Sequence, residues 1–229
     1  MIETKKDLEQ MSFLERLEAR LGGFLAKHLK VVLAVVLAIV LIVIGIAIGS
    51  AVGNKRNAKE FDQIDLLQQQ YGELLVIDSD DPSYSASYEA LVEQLKTLSA
   101  KGKRYPQQKA RYLLGVLAFE ADAYQEAIDH FMAVHTQGKD TYLGSLSLAN
   151  AAASAENLGD EFLALEYWTQ IIDEYGFTAA ESPKALFGQA RLHEAAGNTE
   201  LAEAIFQQLA DQFPASEFAK LAQNKLALL

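Results

Sequence analysis

The chain of 229 residues contains no cysteine, which excludes structural disulfides and thiolate chemistry. Basic residues are also scarce: 20 Lys and Arg stand against 31 Asp and Glu, for a formal net charge of -11. The deficit is uneven, since residues 1–30 carry six cations and five anions, whereas residues 54–229 carry 14 and 26. That balance argues against nucleic-acid binding, which needs clustered Lys and Arg, and against flat adsorption on an anionic lipid surface. Catalytic and metal patterns are missing too. The four histidines, His28, His130, His135 and His193, show no ligand spacing, because His130 and His135 are five residues apart and no H-E-x-x-H run occurs. Gly144-Ser145-Leu146-Ser147 lacks the second glycine of a nucleophile elbow, and no strand pattern precedes it. Asp78 to Pro82 lacks the glycine and terminal glutamate of a calcium loop, and no glycine-rich phosphate cradle is present. No enzymatic activity, cofactor or metal is expected.

What is present begins with an uncharged run. Val31 to Val52 holds no charge, no proline and no polar side chain except Ser50. At about 1.5 Å per residue it is long enough to cross the hydrocarbon core as one helix. A signal peptide has a shorter apolar centre of roughly 7 to 15 residues, so a retained anchor is expected. Arg16, Arg20, Lys27 and Lys30 precede the run and Lys55, Arg56 and Lys59 follow it, a bias that sets the amino terminus in the cytoplasm. The opposite topology, with a cytoplasm-facing adaptor, remains the alternative. Gly45, Gly49 and Gly53 make two overlapping G-x-x-x-G units, a face on which a second helix can pack. That helix would belong to another membrane protein or, for a self-associating structural protein, to a second copy. Before the run, Leu8, Met11, Leu14, Leu17 and Leu21 form the stripe of a short amphipathic helix.

After the run the chain repeats itself. The small residue Gly115 recurs as Ala152 and Ala190, Ala127 as Ala164 and Ala202, and Phe131 as Trp168 and Phe206. Each step is 37 or 38 residues, the signature of stacked helical pairs in which no repeat buries its apolar face alone. Gly159-Asp160 and Gly197-Asn198 supply a helix-ending glycine followed by a capping residue. Upstream, Phe61, Ile64, Leu67, Tyr71, Leu74 and Leu75 keep a helical period, Asp78 to Pro82 breaks it, and Tyr88, Leu91, Leu95 and Leu98 resume it. Ala90, 37 residues before Ala127, puts a degenerate repeat in this region. Ser216 to Leu229 predicts a capping helix with Phe218, Leu221, Ala222 and Leu226 inward.

This pattern resembles the tetratricopeptide repeat, with copies longer than the usual 34 residues and the extra residues in the connections Thr136 to Tyr142 and Phe177 to Pro183. The expected architecture is all-α: a leader over 1–30, one transmembrane helix over 31–53, a degenerate first repeat over 54–105, three repeats over 106–214 and a capping helix over 215–229. The resemblance implies that the first helix of each pair lines a concave groove. The positions facing it would be Lys109, Tyr112, Val116 and Phe119, then Leu146, Ala149 and Ala153, then Lys184, Phe187 and Arg191. Aromatic, aliphatic and cationic groups in that order suit a peptide segment of a protein partner. Packing of Tyr112, Phe119 and Phe187 on adjacent helices would account for them equally. Tyr112 and Val116 stand where repeats that hold acidic chaperone tails carry Lys and Asn, so that ligand is not expected.

The layout, a leader, one span and then an acidic, alanine-rich repeat domain, is similar to the bacterial membrane-anchored YfgM-like proteins, ancillary to the inner-membrane translocon. Phe213-Pro214-Ala215-Ser216 with Ala219, Ala222 and Leu226 is also similar to envelope repeat proteins of the outer-membrane assembly and Tol-Pal systems. The resemblance implies a non-catalytic scaffold in the inner membrane with its repeats in the periplasm, docking chaperones or clients near the translocon.

Overall fold

The computed structural model describes residue 31, residues 38–46 and residues 58–228. The chain divides into two compact units, Met1–Lys59 and Glu60–Leu229. In the first, residues 38–46 are helical, and the branched side chains from Ile39 to Ile46 are 46 to 67% exposed. A Cβ on Gly45 would meet nothing within 4 Å. Gly49, Gly53, the amphipathic leader and most of Val31 to Val52 lie outside the described residues. Among those described, no helix is long and apolar enough to cross a membrane.

The second unit is helical from end to end. Residues 60–74 are helical throughout (α1), followed by α2 (Pro82–Ser99), α3 (Tyr105–Glu120), α4 (Tyr124–Gln137) and α5 (Tyr142–Leu158). Then come α6 (Glu161–Tyr175), α7 (Ser182–Ala195), α8 (Thr199–Gln212) and α9 (Glu217–Leu226). From α2 onwards each helix packs on the one before and the one after it, while α3 also reaches α5 and α7 reaches α9. That nearest-neighbour order is what a stack of helical pairs requires.

The repeat positions explain the stacking. Ala127, Ala164 and Ala202 are fully buried, and Phe131, Trp168 and Phe206 are buried one turn later on the same faces. At Gly115 a Cβ would stand 2.7 Å from the Phe131 ring, and at Gly188 2.7 Å from the Trp168 indole. Phe131 therefore lies on the first helix of its own repeat, whereas Trp168 bridges to the first helix of the next. The core runs on in overlapping clusters: Ile64, Leu67, Leu74, Leu91 and Leu95 join α1 and α2 to Leu114 and Leu117 of α3. Ala118, Phe131 and Ala151 carry it through α4 to α5, Ile128, Leu148, Trp168 and Ala185 to α7, and Leu186, Phe206, Leu209 and Ala222 to α9.

Turn chemistry follows the same period. Gly159 and Gly197 take the left-handed conformation at φ 83° and 78°, and Asp122, 37 residues before Gly159, takes it at φ 58°. A side chain there costs free energy that glycine does not, so Asp122→Gly is expected to stabilise the unit by about 0.5 to 1 kcal/mol, read as a higher urea midpoint. Asp160 caps α6 by accepting from the Leu163 N–H at 3.0 Å. Ser216 caps α9 through the Ala219 N–H, also at 3.0 Å.

Several sequence expectations need correction. Asn198 makes no side-chain cap bond at α8. Ala90 is exposed and Leu91 is buried, so the first repeat is one residue out of phase with the others and packs with leucines at 91 and 95. Phe61 and Leu75 point to solvent, because the buried stripe of α1 runs through Ile64, Leu67 and Leu74. Leu221 is exposed, and its inward place on α9 is taken by Ala219 beside Ala222.

Candidate functional site

The first helices α3, α5 and α7 present a row of half-buried side chains. Lys109, Tyr112, Val116 and Phe119 on α3, Leu146 and Ala153 on α5, and Lys184, Phe187 and Arg191 on α7 are all partly exposed, while Ala149 is buried. They occupy one stripe of each helix because they recur at three- and four-residue steps.

Most of their partners lie on neighbouring helices. The Lys109 ammonium sits 5.2 Å over the Tyr112 ring. The Asn150 amide donates to the Tyr112 hydroxyl at 2.9 Å, joining α5 to α3. Burial, above all, raises the Tyr112 phenol, so it stays neutral. At the next seam the Trp168 Nε1–H donates to the Glu156 carboxylate at 2.7 Å. Glu156 also pairs with Arg191, and the Lys184 ammonium lies 5.6 Å over the indole. One buried tryptophan thus gathers Glu156 of α5 with Lys184 and Arg191 of α7. Phe187 stacks between Phe206 and Phe218 at 5.7 and 5.8 Å, so it is shared between the face and the core. Phe119 meets the Tyr124 ring edge-on at 5.5 Å.

Two features were missed by the sequence reading. The first is a ladder of exposed rings: Phe61 stacks on Tyr105 at 5.8 Å, and Tyr105 faces Tyr142 at 6.4 Å with their hydroxyls 3.0 Å apart. That hydrogen bond, then burial, pushes the Tyr105 phenol up to about 12. Tyr105 and Tyr142 are 37 residues apart and open α3 and α5, so the repeat period itself was the signal. It was overlooked because only the core positions were aligned.

The second is a cleft of about 740 Å³ beside Tyr142, lined by Lys139, Asp140, Ser145, Glu174, Tyr175, Ala180 and Glu181 among others. Under it His135 is buried, with Nδ1 3.2 Å from the Gly144 carbonyl and Nε2 3.2 Å from the Gln170 amide nitrogen. Both ring nitrogens thus have polar neighbours, and Nδ1 also lies 3.4 Å from the Tyr175 hydroxyl. Glu174 lies 3.4 Å from the same Nε2 and pairs with Lys139 at 2.8 Å. Partial burial acts against its ionisation, but donation from Gln170 and Lys139 outweighs this and holds the carboxyl below its usual range.

A depressed acid stabilises the fold above its unfolded value, about 4.3, and loses that contribution as pH falls through the folded value. Glu174→Gln is therefore expected to show a smaller drop in thermal midpoint than the unchanged chain between about pH 6 and about pH 3.5.

Among the described residues, no group of three or more His, Cys, Asp or Glu is placed to hold a metal ion. What the first-helix stripe and the cleft offer is recognition chemistry: neutral phenols, cations over rings, and carboxylates at an open rim.

The chain is similar to the Arabidopsis OM64 TPR domain, at 16% identity over 53% of this chain and 94% of that one, with a TM-score of 0.44. It is likewise similar to Podosopora anserina putative kinesin light chain nearly identical TPR-like repeats, at 17% identity over 69% and 88%, with a TM-score of 0.46. No curated protein matches it. The tetratricopeptide repeat family matches residues 184–216, which span most of α7 and all of α8. Those residues match a tetratricopeptide repeat, a unit that generally mediates protein–protein interaction.

Proposed function

We infer that the protein is a non-catalytic, membrane-anchored interaction scaffold of the bacterial envelope, docking chaperones or client proteins near the inner-membrane translocon. The observation that carries the docking role is the stripe of half-buried side chains on α3, α5 and α7, aromatic and cationic on α3 and α7 and aliphatic on α5. On the second helices Phe131, Trp168 and Phe206 are buried in the seams, although Phe162 of α6 is 80% exposed. The anchor is read from the charge-free run Val31 to Val52. Support comes from residues 38–46, whose apolar side chains face outward and need lipid or another apolar surface to cover them. The cation bias, four before the run against three after it, favours repeats on the periplasmic side. Gly45, Gly49 and Gly53 offer the packing face for a membrane partner.

Crosslinking in intact membranes tests the role. Recovery of translocon or chaperone subunits is expected; recovery of self-crosslinks alone would replace this reading with that of a homo-oligomeric structural protein. Protease added outside the inner membrane should digest the repeats. Protection there would make the protein a cytoplasm-facing adaptor.

A further inference from the structure

The aromatic ladder stops one rung short. Phe61, Tyr105 and Tyr142 carry it across the first three helical pairs, and 38 residues beyond Tyr142 the corresponding residue is Ala180. The space where a fourth ring would stand is the 740 Å³ cleft, whose lining includes Tyr142, Tyr175, Ala179 and Ala180. Its charge is one-sided. Lys139 is tied to Glu174, whereas among the described residues Asp140 and Glu181, both lining the cleft, have no ion-pair partner. Their negative charges, after burial and Glu174, help push the Tyr175 phenol up to about 12. The ring spacings of 5.8 and 6.4 Å come close to the roughly 6.6 Å between alternate residues of an extended chain, so successive same-side side chains of such a segment would meet successive rings.

We propose that this rim binds an extended, arginine-bearing segment of a partner protein. One guanidinium enters the cleft between Tyr142 and Tyr175 to pair with Asp140 and Glu181, and the neighbouring residues lie across Tyr105 and Phe61. Arginine fits because its planar cation stacks on phenol faces and forks to carboxylates, and because it is weakly hydrated relative to an ammonium. The proposal rests on reading the repeats as a protein-docking array. It adds the chemistry of the segment and places specificity at the loop end of the first helices.

The test uses the full chain in detergent micelles and three fluorescein-labelled probes, nonapeptides of Gly-Ser-Arg, Gly-Ser-Gln and Gly-Ser-Glu triplets, followed by fluorescence anisotropy. The arginine probe is expected to bind, and the glutamine and glutamate probes to bind at least about tenfold more weakly. Ala180→Trp, which supplies the missing ring at an exposed position, should abolish binding with an unchanged circular dichroism melt. Asp140→Asn with Glu181→Gln should weaken it about tenfold. Equal binding of the glutamine probe, or full binding by Ala180→Trp, would overturn the proposal. Loss on Lys109→Ala but not on Ala180→Trp would also overturn it, while leaving the first-helix stripe as the docking face.

Discussion

Trp168→Ala is expected to lower the unfolding free energy by about 3 to 5 kcal/mol, read from urea denaturation followed by circular dichroism. The indole is 2% exposed and fills the seam between α6 and α7, with its ring against Gly188. Removing it opens a cavity that rigid neighbours cannot close. It also takes away the donor to Glu156 and the ring beneath Lys184. Trp168→Phe keeps most of the apolar area and should cost about 1 to 2 kcal/mol, chiefly through the lost hydrogen bond. Trp168 is also the sole tryptophan, so its emission reports this one seam. Gly188→Ala would set a methyl 2.7 to 2.9 Å from three indole atoms and is expected to shift that emission to the red. Combined with Trp168→Phe, its cost should be far from additive, since the two changes share one contact.

Phe206→Ala is expected to cost a similar amount, about 3 to 5 kcal/mol, but with a different distribution along the chain. The ring is fully buried among α7, α8 and α9, beside Phe187, and its cluster shares no residue with the one formed by α1, α2 and α3. In a stack held by nearest-neighbour contacts the damage should stay local. Hydrogen exchange should show faster amides over 182–226 and unchanged protection over 82–120. A uniform loss across the whole unit would mean that the repeats fold as one cooperative body.

These two residues show how much of the architecture was legible in the sequence. Phe131, Trp168 and Phe206, with the alanines four residues before each, were found because burial at a helix contact tolerates few side chains and therefore repeats visibly. Ala90 misled because the first repeat packs with leucines at 91 and 95, which carry no distinctive pattern, and a one-residue slip in phase rotates a helix by about 100°. Trp168 was read correctly as a core aromatic, but its gathering of Glu156, Lys184 and Arg191 was invisible, since it depends on which helices the turns bring together. The stripe of Lys109, Tyr112, Val116 and Phe119 was legible as a face from its spacing alone. The ladder of Tyr105 and Tyr142 had the same period and was passed over because neither ring is buried. The cleft could not be read at all: it is built from two loops and the end of α6, and depends on the missing side chain at Ala180.

On the proposed reading, a different protein docks on the first-helix face of the repeats. A photo-crosslinking amino acid placed singly at Tyr142, Leu146, Val116 or the 80% exposed Phe162 of α6 tests it most directly in intact cells. Crosslinks to another protein are expected from positions 142, 146 and 116, and none to that protein from 162. Crosslinks from 162 with none from the first-helix positions would contradict it.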